Sequence, residues 1–254
     1  MQRAFTLLFA ILCYAIFFAT FLYLIVFVGD FALGVRTVDV GLQSQPAVAA
    51  VTDVALIALF GLQHSIMARP GFKAKWTRIV PPASERSVYV LTASIALMIL
   101  YLGWRPIDMI IWNVTNPVFA GILWAVFWIG WLGVLISTFL INHFELFGLQ
   151  QAWLNLSGRE AAKKPELKQP LFYRWVAHPM MSSFFLAFWA APEMTAGHLL
   201  LALGMSVYIL VALRYEERDL TALFGDDYRR YRSGVGMLIP RFGRRAGGRI
   251  APGA

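Results

Sequence analysis

The stretch AFTLLFAILCYAIFFATFLYLIVFV, residues 4–28, decides the class of fold, because about 25 uncharged residues in helical form span ~30 Å of hydrocarbon. It follows only Met1-Gln2-Arg3. It is longer than the ~7 to 15 apolar residues of a signal peptide, and no small-residue cleavage site follows it. We interpret it as a retained transmembrane helix. The single cysteine, Cys13, lies inside this run, which excludes a disulfide framework or a cysteine metal cluster.

Composition extends this interpretation to the whole chain. Of 254 residues, 59% are hydrophobic and 14% charged, and the mean hydropathy is +0.64, which is typical of an integral membrane protein. Further membrane-spanning segments are predicted at residues 46–67, 88–102 or slightly beyond, and 117–141. Residues 179–191 and 197–213 predict a closing hairpin whose first arm is short for a full crossing. The predicted fold is all-α, a polytopic membrane helix bundle with about six transmembrane segments including this hairpin.

Basic residues are distributed unevenly between the two sides of the predicted bundle. Loops 68–87 and 142–177 and the arginine-rich tail after Leu213 fall on one side, whereas only Arg36 and Arg105 fall on the other. By the positive-inside rule, both termini and all the basic loops are cytoplasmic. The formal net charge of +8 then reflects topology and attraction to anionic lipid, and it does not indicate nucleic-acid binding.

The predicted domain organisation is simple. Residues 1–240 are expected to form one membrane domain, and residues 241–254, rich in Gly, Arg and Pro, a disordered basic tail. Apolar residues at helical spacing between Leu146 and Leu156 predict a helix along the inner surface, which either covers a pocket or serves only as an anchor. Lys163-Lys164-Pro165 is expected to end that helix.

Polar side chains concentrate at the predicted cytoplasmic helix ends. They are Gln63 and His64 in the second helix, Glu85, Arg86 and Ser87 before the third, Asn142, His143 and Glu145 after the fourth, and His178, Glu216 and Glu217 at the feet of the hairpin. Because these ends lie on one side, we expect them to converge on a single pocket. Any one of these residues is also explained by helix capping or by contact with lipid headgroups, so the prediction of a site depends on the cluster.

Two polar residues lie away from this cluster. Asp53 falls about two turns inside the second helix, where an isolated carboxylate is costly. We expect it to pair with Gln63 or an outer arginine, or to face a wet interior and line a substrate path. His198 is expected at the opposite membrane interface. The sequence contains no Walker loop, dinucleotide fingerprint, zinc-binding spacing or nucleophile elbow, so no metal is expected.

The C-terminal third carries a recognisable set of motifs. These are Pro170-Leu171-Phe172-Tyr173, His178-Pro179, Glu216-Glu217 and Phe224-Gly225-Asp226-Asp227-Tyr228-Arg229-Arg230-Tyr231. They resemble the C-terminal core of the isoprenylcysteine carboxyl methyltransferase superfamily, whose members are integral membrane enzymes that use S-adenosylmethionine. The resemblance implies a methyltransferase with a cofactor-binding core at about residues 165–240.

Further motifs narrow the resemblance. They are Gln63-His64-Ser65-Ile66-Met67-Ala68-Arg69-Pro70, Glu85-Arg86-Ser87, Asn142-His143-Phe144-Glu145-Leu146-Phe147-Gly148-Leu149-Gln150 and Ala187-Phe188-Trp189-Ala190-Ala191-Pro192. These are similar to the bacterial methanethiol S-methyltransferases, which convert methanethiol to dimethyl sulfide, and to the nuclear-envelope protein nurim. The chain has Ala177-His178-Pro179-Met180-Met181 where the isoprenylcysteine enzymes carry Arg-His-Pro-x-Tyr, which favours a small thiol over a prenylated protein.

The resemblance also implies roles for individual residues. His178 and Pro179 would hold the polar tail of S-adenosylmethionine, and Glu216 and Glu217 its ribose hydroxyls or ammonium. The other expected cofactor-binding residues are Tyr173, Arg174, Met181, Tyr228 and Arg232. The candidates for the base or thiolate stabiliser are His64, Arg86, His143 and Glu145, among which spacing does not choose.

The location and partners that the resemblance implies are a bacterial inner membrane, a cytoplasmic active site, surrounding lipid and a small-molecule thiol. Three alternatives stay open: another small or lipid acceptor, an NADPH-dependent membrane reductase, because sterol reductases share a related C-terminal bundle, and a non-catalytic nurim-like protein.

Overall fold

Apolar helices make up most of the chain in the computed structural model, which describes residues 1–159, 167 and 169–241. In chain order the elements are α1 (Gln2–Gly29), α2 (Pro46–Ala68), α3 (Pro70–Trp76), α4 (Pro82–Gly103), β1 (Ile110–Asn113), α5 (Pro117–Ile141), α6 (His143–Leu146), α7 (Leu149–Ser157), a 3-10 helix (Leu171–Arg174), α8 (Pro179–Trp189), β2 (Glu193–Thr195), α9 (Ala196–Phe224) and α10 (Asp226–Gly234). The all-α prediction is confirmed. The predicted helix break at Lys163-Lys164-Pro165 and the predicted tail, apart from Arg241, lie outside the described residues.

Membrane-spanning length is reached by five of these helices: α1, α2, α4, α5 and α9. The sixth predicted segment is α8, whose 11 residues reach only about 16 Å at ~1.5 Å per residue. The prediction of a polytopic membrane bundle is confirmed, and the chain is an integral membrane protein. The cytoplasmic placement of both termini stays a prediction.

Two helices are longer than the hydropathy pattern predicted. α4 begins at Pro82, and not at Val88, because Pro at the first helical position and Glu85 in the first turn both favour a helix start. α9 continues from the predicted end at Leu213 to Phe224, and its C-cap Gly225 has a φ of 57°. Hydropathy marks only the part of a helix that lies in hydrocarbon, so the polar first turns of α4 and the polar last turns of α9 were missed.

The bundle core lies where the long helices meet. Its most buried large side chains include Phe27 on α1, Leu100 on α4, Trp131 on α5, Phe188 on α8 and Leu213 on α9. The short helix α8 packs closely on α5, because glycines of α5 face it. A Cβ atom on Gly130 would stand 2.6 Å from the backbone nitrogen of Ala187.

A small two-stranded sheet, which the sequence did not predict, joins two loops at one end of the bundle. β1 pairs antiparallel with β2, with Ile110 opposite Thr195 and Asn113 opposite Glu193. The indole Nε1 of Trp112 donates to the carbonyl of Ala191 at 3.0 Å. These bonds attach the turn of the short hairpin to the loop between α4 and α5. The end of the bundle that carries this sheet is called the opposite end.

The end where α2 finishes and α4 and α8 begin is called the site end. His178 on the α8 side and Glu217 on α9 contact each other there at 2.7 Å, so both feet of the hairpin lie at the same end, as expected. The surface helix predicted between Leu146 and Leu156 corresponds to α6 and α7, and α7 packs against α1 and α4.

Candidate active site

The carboxylate of Glu217 is the centre of the polar cluster at the feet of the hairpin. It accepts hydrogen bonds from His178 Nε2 at 2.7 Å and from the Tyr228 hydroxyl at 2.8 Å. Arg232 Nε lies 3.0 and 2.9 Å from its two oxygens. We call these residues, His178, Glu217, Tyr228 and Arg232, the Glu217 network. Both oxygens of Glu217 are engaged, so the structure brings together four of the predicted cofactor-binding residues and joins them to one another.

The backbone around His178 is fixed from two directions. Pro179 occupies the first position of α8, which sets the helix start. The segment after α10 then lies beside it, because Ala177 N–H donates to the carbonyl of Gly236 at 2.8 Å and His178 N–H to that of Met237 at 3.2 Å. His178 is consequently only 6% exposed.

Tyrosines close the outer side of the Glu217 network. The Tyr231 hydroxyl donates to the Tyr173 carbonyl at 2.8 Å, which attaches α10 to the 3-10 helix. Burial, and then the hydrogen bond to Glu217, raises the pKa of Tyr228. Burial, together with the nearby charge of Glu216, likewise raises the pKa of Tyr173. Both phenols are therefore neutral at physiological pH.

A polar cleft of about 570 Å³ lies beside the Glu217 network. Glu216 links the two, because it lines the cleft and its Oε2 lies 3.7 Å from His178 Nδ1. On the cleft wall, Arg69 Nη1 pairs with Asp219 Oδ2 at 2.8 Å. The cleft therefore offers carboxylates and a guanidinium to a ligand that carries both signs of charge.

An apolar cavity of about 230 Å³ lies deeper in the bundle. Aromatic and aliphatic side chains of α1, α2, α4, α5, α8 and α9 line most of it. The polar residues on its wall include His64, Arg86, Tyr89, Thr138 and His143. The structure thus brings three of the four candidate catalytic residues to one cavity, together with Met181.

The polar cleft and the apolar cavity meet at His64, Tyr89, Met181 and Tyr208, which line both; we call this group the junction. His64 Nε2 and the Tyr89 hydroxyl are 2.9 Å apart, and that hydroxyl also lies 3.4 Å from the His64 carbonyl oxygen. His64 Nδ1 is buried and has no hydrogen-bond partner among the described residues. Nine buried side-chain atoms of the described residues lack a hydrogen-bond partner, and among them only His64 Nδ1 belongs to a residue that lines the apolar cavity and the polar cleft.

His143 differs from His64 because both of its nitrogens are engaged. Nε2 lies 2.8 Å from the Tyr14 hydroxyl and Nδ1 lies 2.8 Å from Thr138 Oγ1. Burial lowers the pKa of His143, and the ring stacks on Phe139 with centroids 4.1 Å apart. His143 therefore holds α6 against α1 and α5.

Arg86 stands between these histidines on α4. Its Nε donates to the Leu146 carbonyl at 2.7 Å, and its guanidinium carbon lies 4.9 Å from the centre of the Tyr89 ring. Arg86 thus brings a positive charge to the wall of the apolar cavity close to the junction.

Two predicted residues do not join this arrangement. Glu145 is exposed at the surface, where its Oε2 accepts from Asn142 Nδ2 at 2.8 Å. Arg174 is exposed at the end of the 3-10 helix and forms no hydrogen bond with the Glu217 network among the described residues. Neither residue lines the polar cleft or the apolar cavity.

Sequence reasoning also missed residues that line the site, above all Tyr89 and Tyr208. The available signal was helical periodicity, because Tyr89 follows Glu85 by four positions and Tyr208 precedes Glu216 by eight, which places each pair on one helix face. Among the described residues, no group of His, Cys, Asp and Glu side chains is arranged to hold a metal ion. The polar cleft and the apolar cavity thus meet at the imidazole of His64.

Comparison with known proteins gives consistent relatives. The chain is 51% identical over 240 residues to a methanethiol S-methyltransferase of Mycobacterium tuberculosis, covering 94% of this chain and 98% of the relative. It is 49% identical over 233 residues to methanethiol S-methyltransferase 1 of Bradyrhizobium diazoefficiens, covering 92% and 81% of the two chains. Nurim of Xenopus laevis is 27% identical over 180 residues, covering 67% and 62%.

No protein-family model matches the chain, and no solved structure is significantly similar to it. The identities to the methanethiol S-methyltransferases nevertheless extend over nearly the whole of both chains. The motifs at His64, Arg86 and His143 therefore belong to a sequence that is similar to these enzymes over more than nine-tenths of its length. The chain belongs to the methanethiol S-methyltransferase family.

Proposed function

We propose that this protein transfers the methyl group of S-adenosylmethionine to methanethiol, giving dimethyl sulfide and S-adenosylhomocysteine. The observation that carries the proposal is the junction, where a charged cleft and an apolar cavity share His64, Tyr89, Met181 and Tyr208. A methyl donor that carries several charges and a neutral, apolar thiol require two such compartments in contact. Family membership supports the choice of acceptor.

The polar cleft fits the methyl donor. Its volume of about 570 Å³ lies within the ~300–1,000 Å³ of ligand pockets. Glu216 would accept from the ammonium or the ribose hydroxyls, and the Arg69–Asp219 pair would meet the charged amino-acid end. S-adenosylmethionine supplies a methyl group on a positively charged sulfur, which a thiolate displaces.

The Glu217 network is assigned a supporting role. Glu217 already accepts from His178, Tyr228 and Arg232, so its oxygens have little capacity left for a ligand. It holds His178 in place, and His178 Nδ1 lies 3.7 Å from Oε2 of Glu216, the carboxylate that lines the cleft. We therefore propose Glu216 as the main ligand-binding carboxylate and the network as its support. Tyr173 would bound the same region, and Arg174 is left without a role in it.

His64 is proposed as the group that accepts the thiol proton. A simple thiol has a pKa near 8.5, so it must lose its proton to become an effective nucleophile. If the Tyr89 hydroxyl donates to the His64 carbonyl and accepts from Nε2–H, the buried Nδ1 carries a free lone pair at the cavity wall. The geometry supports His64 as the base over the other candidates, since His143 has both nitrogens engaged and Glu145 is exposed.

Arg86 would stabilise the developing thiolate from the cavity wall. A charge in an apolar, water-poor site acts over a lower effective dielectric than in water, which strengthens its attraction for an anion. The surrounding apolar side chains exclude water and position the small acceptor, so that the reaction gains from proximity. We place the site end on the cytoplasmic side of a bacterial inner membrane, on the basis of the positive-inside pattern.

The experiment is headspace measurement of dimethyl sulfide after methanethiol and S-adenosylmethionine are supplied to the detergent-purified protein. We expect product from the wild type and much less from His178→Ala, whose support of the cleft is lost. A parallel thermal-shift measurement compares S-adenosylmethionine with NADPH; a rise in Tm with NADPH alone would favour a reductase. Dimethyl sulfide no higher than in the His178→Ala control would refute the proposed activity.

A further inference from the structure

The apolar cavity is larger than methanethiol requires. Its volume is about 230 Å³. Methanethiol has two heavy atoms and, at the ~30 Å³ that a water molecule occupies in the liquid, takes up about 60 Å³. An engineered apolar cavity of about 150 Å³ in another protein is large enough to bind benzene. The cavity therefore has room for an aromatic ring in addition to a thiol sulfur.

The cavity is also elongated. Its lining extends along α4 from Arg86 to Leu97, which is about 16 Å at ~1.5 Å per residue. Along α1 it extends from Phe17 to Leu24, about 10 Å by the same rise. His64 lies at the site end of this space, so a thiol with its sulfur at His64 can extend its substituent toward Leu97.

The distal part of the cavity, formed by Leu24, Leu97 and Phe188, offers no polar recognition. The nearest polar wall residue on α4, Ser94, already donates to the carbonyl of Val90 at 2.9 Å. Thr138 on α5 likewise donates to the carbonyl of Leu135 at 2.6 Å. A substituent in this part is therefore selected by apolar contact and by size, and burial of a charge there is unfavourable.

Building on the proposed function, we propose that this cavity accepts uncharged, apolar thiols larger than methanethiol, up to the size of thiophenol, as methyl acceptors. A bond forms between the thiol sulfur and the transferred methyl carbon. The bond between that carbon and the donor sulfonium breaks, and the donor sulfur retains its electron pair. The thiol proton passes to His64 Nδ1 and from there to water. The products are a methyl thioether and S-adenosylhomocysteine.

The first test is a substrate series measured with the full-length protein and S-adenosylmethionine: methanethiol, ethanethiol, butane-1-thiol and thiophenol, with the methyl thioethers quantified by gas chromatography. Because each buried methylene strengthens binding about fourfold, we expect KM to fall along the alkyl series. Cysteine and glutathione are expected to give no product, because each would bury charge.

The second test narrows the distal part of the cavity. Leu97→Trp should lower the ratio of kcat/KM for thiophenol to that for methanethiol by at least about tenfold, since an overpacked site excludes the larger ligand first. The control is Ala55→Leu on the exposed face of α2, outside the lining, which should leave the ratio unchanged.

A binding measurement separates occupancy from turnover. Toluene, which replaces the thiol of thiophenol by a methyl group, should raise the Tm of the wild type and raise that of Leu97→Trp less. Turnover of methanethiol without any turnover of ethanethiol, butane-1-thiol or thiophenol would overturn this inference and leave the proposed function intact. Absence of turnover with every thiol would refute both, and turnover of glutathione would refute the assignment of an apolar acceptor cavity.

Discussion

The two ends of this bundle use polar residues in different ways. At the opposite end they pair with loop backbone and hydroxyl groups: Asp53 accepts from the Arg105 N–H at 2.9 Å, and Asp39 accepts from the Thr195 hydroxyl at 2.5 Å. His198, expected at the membrane interface, is only 3% exposed, and its ring nitrogen lies 3.1 Å from the Phe188 carbonyl oxygen. The side chains of Asp39, Asp53 and His198 line neither the polar cleft nor the apolar cavity.

At the site end, polar residues from helices far apart in sequence meet beside the apolar cavity and the polar cleft. His64 contacts Tyr89, His143 contacts Tyr14, and one nitrogen of His64 is left free among the described residues. A buried polar residue therefore does not by itself mark a site. What distinguishes the site end is a buried polar atom without a partner on the wall of a cavity.

The largest effect is expected from substituting His64, and His198 at the opposite end provides the control. His64→Gln should lower kcat for methanethiol by about 10²–10⁴, the usual contribution of a general base. His198→Gln, the matched control at the opposite end, removes a structural hydrogen bond and should lower Tm while leaving kcat per folded molecule unchanged. Dimethyl sulfide production and thermal unfolding of both variants measure this. Equal losses of kcat in the two variants would abolish the distinction between the ends.

Next in size is the loss of the Glu217 network. Glu217→Gln removes the charge that pairs with Arg232, and the two side chains are 22% and 26% exposed. Partial burial reduces the cost below that of a fully buried pair, to about 2 kcal/mol of unfolding free energy. Thermal and denaturant unfolding in detergent should show this destabilisation.

The matched control is Asp226→Asn, which breaks the exposed pair with Arg229, whose side chains are 82% and 68% exposed. Its cost should be within about 0.5 kcal/mol, as for exposed pairs in general. A Glu217→Gln variant as stable as this control would show that the network does not stabilise the feet of the hairpin.

Much of this architecture could be predicted from sequence, and the limits have physical causes. Uncharged runs such as residues 4–28 have one solution in hydrocarbon, the helix, so the number and order of the long helices followed directly. The strands β1 and β2 were missed because each is short and pairs with a segment far away in the chain. Asp53 was expected to pair with Gln63 or an outer arginine, or to face a wet interior; it does pair with Arg105, but through the backbone N–H, which sequence does not distinguish from a side chain.

The candidate site was predictable as a cluster and not as a set of contacts. Topology placed His64, Arg86, His143 and His178 at one end, because polar helix ends on one side of a membrane must meet. Which histidine has a free nitrogen depends on Tyr14 and Tyr89, whose rotations about the helix axes no sequence pattern fixes. No sequence pattern shows, either, which of the neighbours Glu216 and Glu217 lines the cleft and which supports His178.

A smaller effect is expected from the tyrosine that orients His64. Tyr89→Phe removes the hydroxyl 2.9 Å from His64 Nε2 and should lower kcat/KM about tenfold, which corresponds to about 1.4 kcal/mol, the scale of one hydrogen bond. The pH dependence of kcat should change as well, since the tautomer of His64 is no longer fixed. Tyr101→Phe, which loses a bond to the Thr20 carbonyl in the core, is the control and should alter Tm alone. An unchanged pH profile in Tyr89→Phe would argue against an orienting role.

The smallest effect, at the opposite end, should appear in stability and not in turnover. Burial raises the pKa of Asp39 from 3.8 to about 6, so the folded protein binds this proton more tightly than the unfolded chain does. The contribution of Asp39 to stability therefore falls as pH rises through this interval and stays lower above pH 6. Asp39→Asn keeps an oxygen that can accept from Thr195 and should remove this contribution, so that the Tm of the variant falls less, or rises more, than that of the wild type between pH 4 and 8, with dimethyl sulfide production unchanged. If Tm depended on pH in the same way in Asp39→Asn and in the wild type, Asp39 would not contribute to that dependence. Titration would then not distinguish the carboxylates of the opposite end from those of the site end.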